Sequence, residues 1–210
     1  MKYLGKPAGM WALFAGSFEK HLTVEFDLTA GQAKDVAARA KKKYREIIAK
    51  LPEFDKRDRF EMNIVNCAML AAFILCMPQR PDIKTLTDYY AAAMMTPTMK
   101  AFCRASGKKK FTPKDIEGMK ATAKLRAGDR NPYSWSMDFF EYEDGSGYEA
   151  RFTTCGICTL MQELGLYDLT PALCHLDYTM SDAGGASDFV REYTLASGGP
   201  YCDCGYHKKQ

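Results

Sequence analysis

Five of the eight cysteines fall between residues 155 and 204, as Cys155-x-x-Cys158, a single Cys174 and Cys202-x-Cys204. Clustered thiols admit three chemistries: ligands to a zinc ion, a nucleophile with its supporting groups, or small apolar side chains that fill a core. A zinc ribbon is usually built on two Cys-x-x-Cys knuckles. One Cys-x-x-Cys, one Cys-x-Cys and a lone cysteine are irregular for it, and the ligand set on offer is Cys155, Cys158, Cys174 and Cys202. Cys155 lies where a strand pattern hands over to a helical one, a place that favours a reactive thiol, but no thioredoxin-like βαβ pattern surrounds it. In a strand, alternation sends Cys202 and Cys204 to the same face.

The sharper element is the run from Cys174 to Asp177. Three residues apart on a helix, the thiol and the carboxylate face one way, while His175 turns about 100° aside, toward solvent. The pair suits a nucleophile near a base, or a base near a leaving group. A carboxylate alone raises a thiol's pKa, so a Cys174 nucleophile needs a further activator. The residues by themselves leave packing, thiol chemistry and metal open.

These groups must be held by 210 residues, 47% apolar and 26% charged, which suits one soluble domain over 1–210 with a real core. The first 126 residues read as helices. Segment 30–51 carries Val36, Ala40, Tyr44, Ile47 and Ile48 on one stripe and stops before Pro52; segment 56–77 becomes apolar on all sides, as a central helix does. A third helix starts near Ile83 and breaks near Pro97, and segment 112–128 opens on Thr112 with Pro113 and Asp115 behind it. Near residue 133 the period changes to alternation. Strands are expected in 133–143 and 148–155, short helices at about 156–165 and 169–182, and a second hairpin in 186–209 turned at 197–199. Helices followed by an antiparallel meander of about four strands, with an inserted helical pair, make an α+β layout. Segments 30–51 and 56–77 are expected to pack on the sheet.

The net charge of +3 conceals an asymmetry: residues 1–130 carry 25 Lys/Arg against 14 Asp/Glu, residues 131–210 only 4 against 12. Opposite fields help the two halves dock. The lysine runs at 40–45 and 107–111 read as solvated faces, since no zinc-finger or RNP-type pattern accompanies them. The most apolar stretch, 64–77, contains Asn66 and is too short for about 30 Å of hydrocarbon, and the first residues make a poor signal peptide. A cytoplasmic protein with reduced thiols is expected, its partner a small-molecule substrate, with no nucleic acid and no membrane. A homodimer stays open.

The stretches TTCGICTLMQELGLYDLTPALCHLDYTM (153–180) and REYTLASGGPYCDCGYH (191–207) resemble the C-terminal signature of the L-2-amino-thiazoline-4-carboxylic acid hydrolase family. That signature has a Cys closing a strand, a helix ending in Gly, a C-x-x-D helix, and a Thr-Leu-x-x-Gly run leading to Cys-Asp-Phe. Cys155, Gly165, Cys174, Asp177, Thr194, Leu195, Gly198 or Gly199, Cys202 and Asp203 match it, and Cys204 stands where the pattern has Phe.

The resemblance implies hydrolysis of a cyclic isothiourea, the 2-amino-thiazoline ring, to N-carbamoyl-L-cysteine, a step in bacterial cysteine formation, at a site where Cys155, Cys174 and Cys202 converge. Asp177 would anchor the amidinium or act as base, and Cys174 or Cys202 would be the thiol that matters. Cys155 and Asp203 would contact substrate, and Arg151 and Arg191, the only arginines after residue 131, would take its carboxylate. No cofactor is implied. The alternative is a module that holds a small molecule or zinc on the same cysteines without turnover.

Overall fold

Side-chain caps decide where four of the described helices begin. In the computed structural model, which describes residues 6–55, 57–128 and 130–209, α1 (Lys6–Glu25) buries Met10, Phe14, Phe18 and Leu22, each four residues after the last. Thr29 opens α2 (Ala30–Lys50) in a reciprocal cap with Gln32, and the expected stripe, with Val36, Ala40, Tyr44 and Ile47 fully buried, packs on α1 and α3. The central helix, α3 (Glu61–Cys76), is buried on all sides from Cys67 to Phe73. It begins at Glu61 rather than at 56. Asp55 and Asp58 turn their carboxylates onto the backbone N–H groups of Arg57 and Phe60, both at 2.8 Å, which spends those residues on turns that compete with helix.

Thr96 and Pro97 end α4 (Ile83–Met94) and start α5 (Pro97–Gly107), and Thr112 caps α6 (Pro113–Arg126) through the Asp115 N–H. The period change then delivers β1 (Met137–Glu141) and β2 (Gly147–Phe152), followed by α7 (Gly156–Glu163), α8 (Thr170–Cys174), α9 (Leu176–Gly184), β3 (Ser187–Val190) and β4 (Cys202–Lys208).

All pairings are antiparallel, in the order β1-β2-β4-β3. This corrects the expected meander: β3 and β4 do pair, but β4 enters the sheet between β2 and β3. The connection from β3 to β4 is also longer than a tight hairpin, because residues 191–201 make a loop with a 3-10 turn at Leu195–Ser197. β3 suits an edge, being short and flanked by Asp188 and Lys209, which lie 3.5 Å apart.

A second correction concerns packing. α2 contacts mainly α1 and α3, while α9 covers β3 and α6 covers β1. α3 reaches the sheet through the residue that precedes it, Phe60, which meets Phe152 of β2 edge-on at 5.6 Å and joins the helical core to the sheet core. Where α5 crosses α9, a Cβ on Gly107 would collide with the Gly184 carbonyl, so only glycine permits that approach. Among the described residues no helix is long and apolar enough to cross a membrane.

Candidate active site

The end of β2, the start of α7, the α8–α9 junction, the loop after β3 and the first residues of β4 meet around one cavity of about 190 Å³. Cys155, Cys174, Asp177, Arg191, Cys202 and Cys204 all line it. Cys155 is the N-cap of α7, and Gly156 behind it has no room for a side chain against the Tyr133 carbonyl and Ile64. His175 is helical in backbone, with φ −66° and ψ −21°, so α8 runs almost straight into α9 and keeps Cys174 and Asp177 on one side. His175 itself is exposed.

Asp177 and Arg191 form the polar centre. One Arg191 nitrogen donates to Asp177 Oδ2 at 2.8 Å and another to the Cys174 carbonyl at 2.7 Å. Asp177 Oδ1 has no hydrogen bond among the described residues. The Arg191 side chain is 6% exposed, that of Asp177 46%. Protein crowds Asp177 from most directions, yet its oxygens open onto recessed space that water can enter. That crowding raises its pKa above the ordinary carboxylate value, against the pull of Arg191. Burial works against the charge on Arg191, but the Asp177 carboxylate, with Cys204 and Cys174, outweighs it and the guanidinium stays protonated.

The thiols are quiet by comparison. Burial pushes Cys174 up to about 12, the hydrogen bond with Cys158 and burial raise Cys155 well above the usual thiol, and burial raises Cys202. The Cys202 sulfur accepts from the Leu195 N–H at 3.2 Å, which pulls its pKa back down. The loop that supplies it is built by local rules. Thr194 accepts from the Ser197 N–H at 3.0 Å, and Gly198 ends the turn at φ 82°, where a side chain would be strained.

The model of the L-2-amino-thiazoline-4-carboxylic acid hydrolase family matches residues 62–206. The chain belongs to that family. No curated protein and no solved structure matches it. Every cavity residue named above lies inside the matched span of this family member.

Other expected residues sit elsewhere. Arg151 stands on the opposite face of the sheet, where it pairs with Glu149 at 2.7 Å and lies over the Tyr201 ring at 4.4 Å. The alternation that turns Tyr148 and Ala150 into the core sends it outward. Asp203, opposite Arg151 in the register, accepts from the backbone N–H groups of Glu192 and Tyr193 at 3.0 and 2.6 Å. It therefore pins the loop that carries Arg191 and faces away from the cavity. Cys158 is beside Cys155 and Tyr167 but does not line the cavity. Among the described residues no three of His, Cys, Asp or Glu are grouped to hold a metal ion, so the four-cysteine zinc set does not form.

A second cavity of about 310 Å³ adjoins the first, and Phe60, Phe152, Asp177 and Tyr206 line both. Its cations are Lys110 and Arg59, neither of which the sequence pattern singled out. Lys110 belongs to a run of three lysines that reads as solvated, and Lys108 and Lys109 are indeed exposed. The turn that brings the third one inward depends on Phe111, at φ 63°.

Proposed function

We propose that the protein hydrolyses 2-amino-thiazoline-4-carboxylate or a closely related cyclic isothiourea, with Asp177 as the general base. The observation that carries this reading is the split carboxylate: one oxygen is fixed by a buried arginine and the other is free, beside a cavity walled by apolar groups and thiols. Arg191 orients the carboxylate. Its charge favours the ionised form of Asp177, while crowding makes that carboxylate a stronger base than an exposed one.

The step balances as follows. A water oxygen bonds to C2 of the ring, and its proton goes to Asp177 Oδ1. The tetrahedral intermediate collapses to the urea carbonyl as the C2–S bond breaks. The ring sulfur leaves as a thiolate of ordinary pKa, about 8.5, and takes up the proton held by Asp177, while the hydroxyl proton of the intermediate goes to N3 of a neutral ring, or to solvent when N3 is already protonated. The product is N-carbamoyl-cysteine. Before attack, the same carboxylate can accept from the amidinium N–H groups and polarise C2.

A second reading is favoured by the Leu195 N–H on Cys202: its sulfur attacks C2, expels the ring thiolate, and water resolves the S-linked isothiourea. The raised thiol pKa values put this second, because the nucleophile would be mostly protonated.

The test is direct. Purified protein is given 2-amino-thiazoline-4-carboxylate, and one free thiol is expected per ring opened, read with a thiol-reactive chromophore and confirmed by mass. Asp177→Asn should remove that signal while the protein stays folded. Thiol release equal to the uncatalysed rate in the wild type would leave only binding without turnover.

A further inference from the structure

A ring that carries both an amidine and a carboxylate needs a cation as well as Asp177, and neither arginine expected to supply one is free. Arg151 lies outside the cavity, and Arg191 is committed to Asp177 and the Cys174 carbonyl. The second cavity supplies two others. Lys110 Nζ lies 3.4 Å from the centre of the Tyr206 ring and 5.2 Å from that of Tyr148. Neither Lys110 nor Arg59 has a carboxylate within 4 Å among the described residues, and Arg59 donates to the Met119 sulfur at 3.3 Å. The nearby acid, Asp115, is engaged through Oδ2 by the Phe111 N–H at 2.9 Å and the Tyr148 hydroxyl at 3.3 Å.

The backbone is arranged to put the lysine there. Phe111 sits at φ 63°, a conformation that a bulky residue adopts only when its surroundings enforce it, and the bond to Asp115 holds it. A half-buried ammonium against aromatic faces, with no carboxylate bonded to it and the nearby Asp115 engaged by other donors, is an unspent charge. Asp177 lines the same cavity.

We propose that Lys110, assisted by Arg59, is the carboxylate-binding pole of the substrate cavity and makes the protein selective for isothioureas that also carry a carboxylate. This rests on the hydrolase reading for the position of the amidine end. The carboxylate meets the ammonium while the ring extends toward Asp177, so the two charges of the substrate are matched in order along the cavity.

The experiment compares 2-amino-thiazoline-4-carboxylate with the bare ring, 2-amino-2-thiazoline, on wild type, Lys110→Met, Lys110→Arg and Arg59→Gln. Lys110→Met should lower kcat/KM for the carboxylated ring roughly 10- to 100-fold, mostly through KM, as expected for loss of a charge-assisted bond. Its kcat/KM for the bare ring should stay within about twofold, and Lys110→Arg should recover part of the loss. Equal losses on both rings, or a loss confined to kcat, would overturn the assignment. Calorimetric binding of the two rings covers the case in which nothing turns over. Tighter binding of the carboxylated ring in wild type, lost in Lys110→Met, supports the pole even though the hydrolase reading has failed. Equal affinity for both rings, or no binding of either, overturns it.

Discussion

Arg126 and Asp58 meet at 2.6 Å with side chains 2% and 0% exposed; Arg191 and Asp177 meet at 2.8 Å with side chains 6% and 46% exposed. Both arginines are buried, and both pairs tie a helix to a loop, across 68 residues for Arg126 and Asp58 and 14 for Arg191 and Asp177. They differ at the carboxylate. Asp58 also accepts from the Ser134 hydroxyl and the Phe60 N–H, so both of its oxygens are used and the joint is sealed. Asp177 keeps an oxygen free and faces two cavities. A closed pair can only fasten the fold, whereas an open one can exchange a proton or hold a cationic group, because its desolvation is incomplete and its hydrogen bonding unfinished.

The comparison is broken most severely by neutralising the open pair. Asp177→Asn should lower kcat/KM by about two to four orders of magnitude, the usual range for a general base, with the melting temperature nearly unchanged. In the wild type the rate should rise with pH through a carboxylate pKa above the ordinary value of about 4, because crowding raises that of Asp177. A profile that is flat down to the ordinary carboxylate range would remove Asp177 as the base.

The sealed pair should answer in stability instead. Asp58→Ala removes the carboxylate of a buried ion pair and should cost about 3–5 kcal/mol of folding free energy, measured by denaturant titration, while turnover per folded molecule stays at the wild-type level. Should Asp58→Ala cost activity and not stability, the distinction between the two pairs collapses.

Between the cavity thiols, Cys202→Ser and Cys174→Ser sharpen the mechanism. If water is the nucleophile, each should keep kcat within about tenfold, the oxygen filling the space of the sulfur; abolished turnover with Cys202→Ser alone would move the chemistry to the sulfur route.

The smallest effect concerns Lys110, which faces Asp115, Arg59, Phe111, Tyr148 and Tyr206. Burial, with Arg59 acting in the same direction and Asp115 against it, brings its pKa down to about 8. A depressed pKa means that the folded state disfavours the proton: the contribution to stability is present above the unfolded value and lost as pH falls through about 8. Lys110→Met should therefore melt a few degrees higher than wild type near pH 7, and the gap should close above about pH 10. A lower melting temperature for Lys110→Met at pH 7 would show that the ammonium stabilises the fold.

The start of α6 was legible because Thr112 announces it through its own side chain, as Thr29 and Thr96 do for α2 and α5; the start of α3 was not, because Asp55 and Asp58 make turns of the residues before it. The placement of Cys174 and Asp177 on one side followed from helical spacing alone. The outward direction of Arg151 was also legible, since Tyr148 and Ala150 mark the core side of β2, and weighting charge over alternation assigned it wrongly. Two features had no local signal. The insertion of β4 between β2 and β3 is decided by non-local pairing, such as Ala150 with Cys204. The inward turn of Lys110 depends on the left-handed Phe111, and a run of three lysines does not disclose which one leaves the surface.

The strand order has a consequence in time. β4 is made after every other element described, yet its place is in the interior of the sheet. Until it arrives, β2 and β3 each present an open edge toward the gap it will fill, while every helix up to residue 126 has already been made. The wall that carries Cys202 and Cys204 is thus the last to be laid, by non-local pairings such as Phe152 with Cys202, which form slowly. Synthesis halted before residue 202 would leave a folded helical layer beside two unpaired strand edges, the species most prone to self-association.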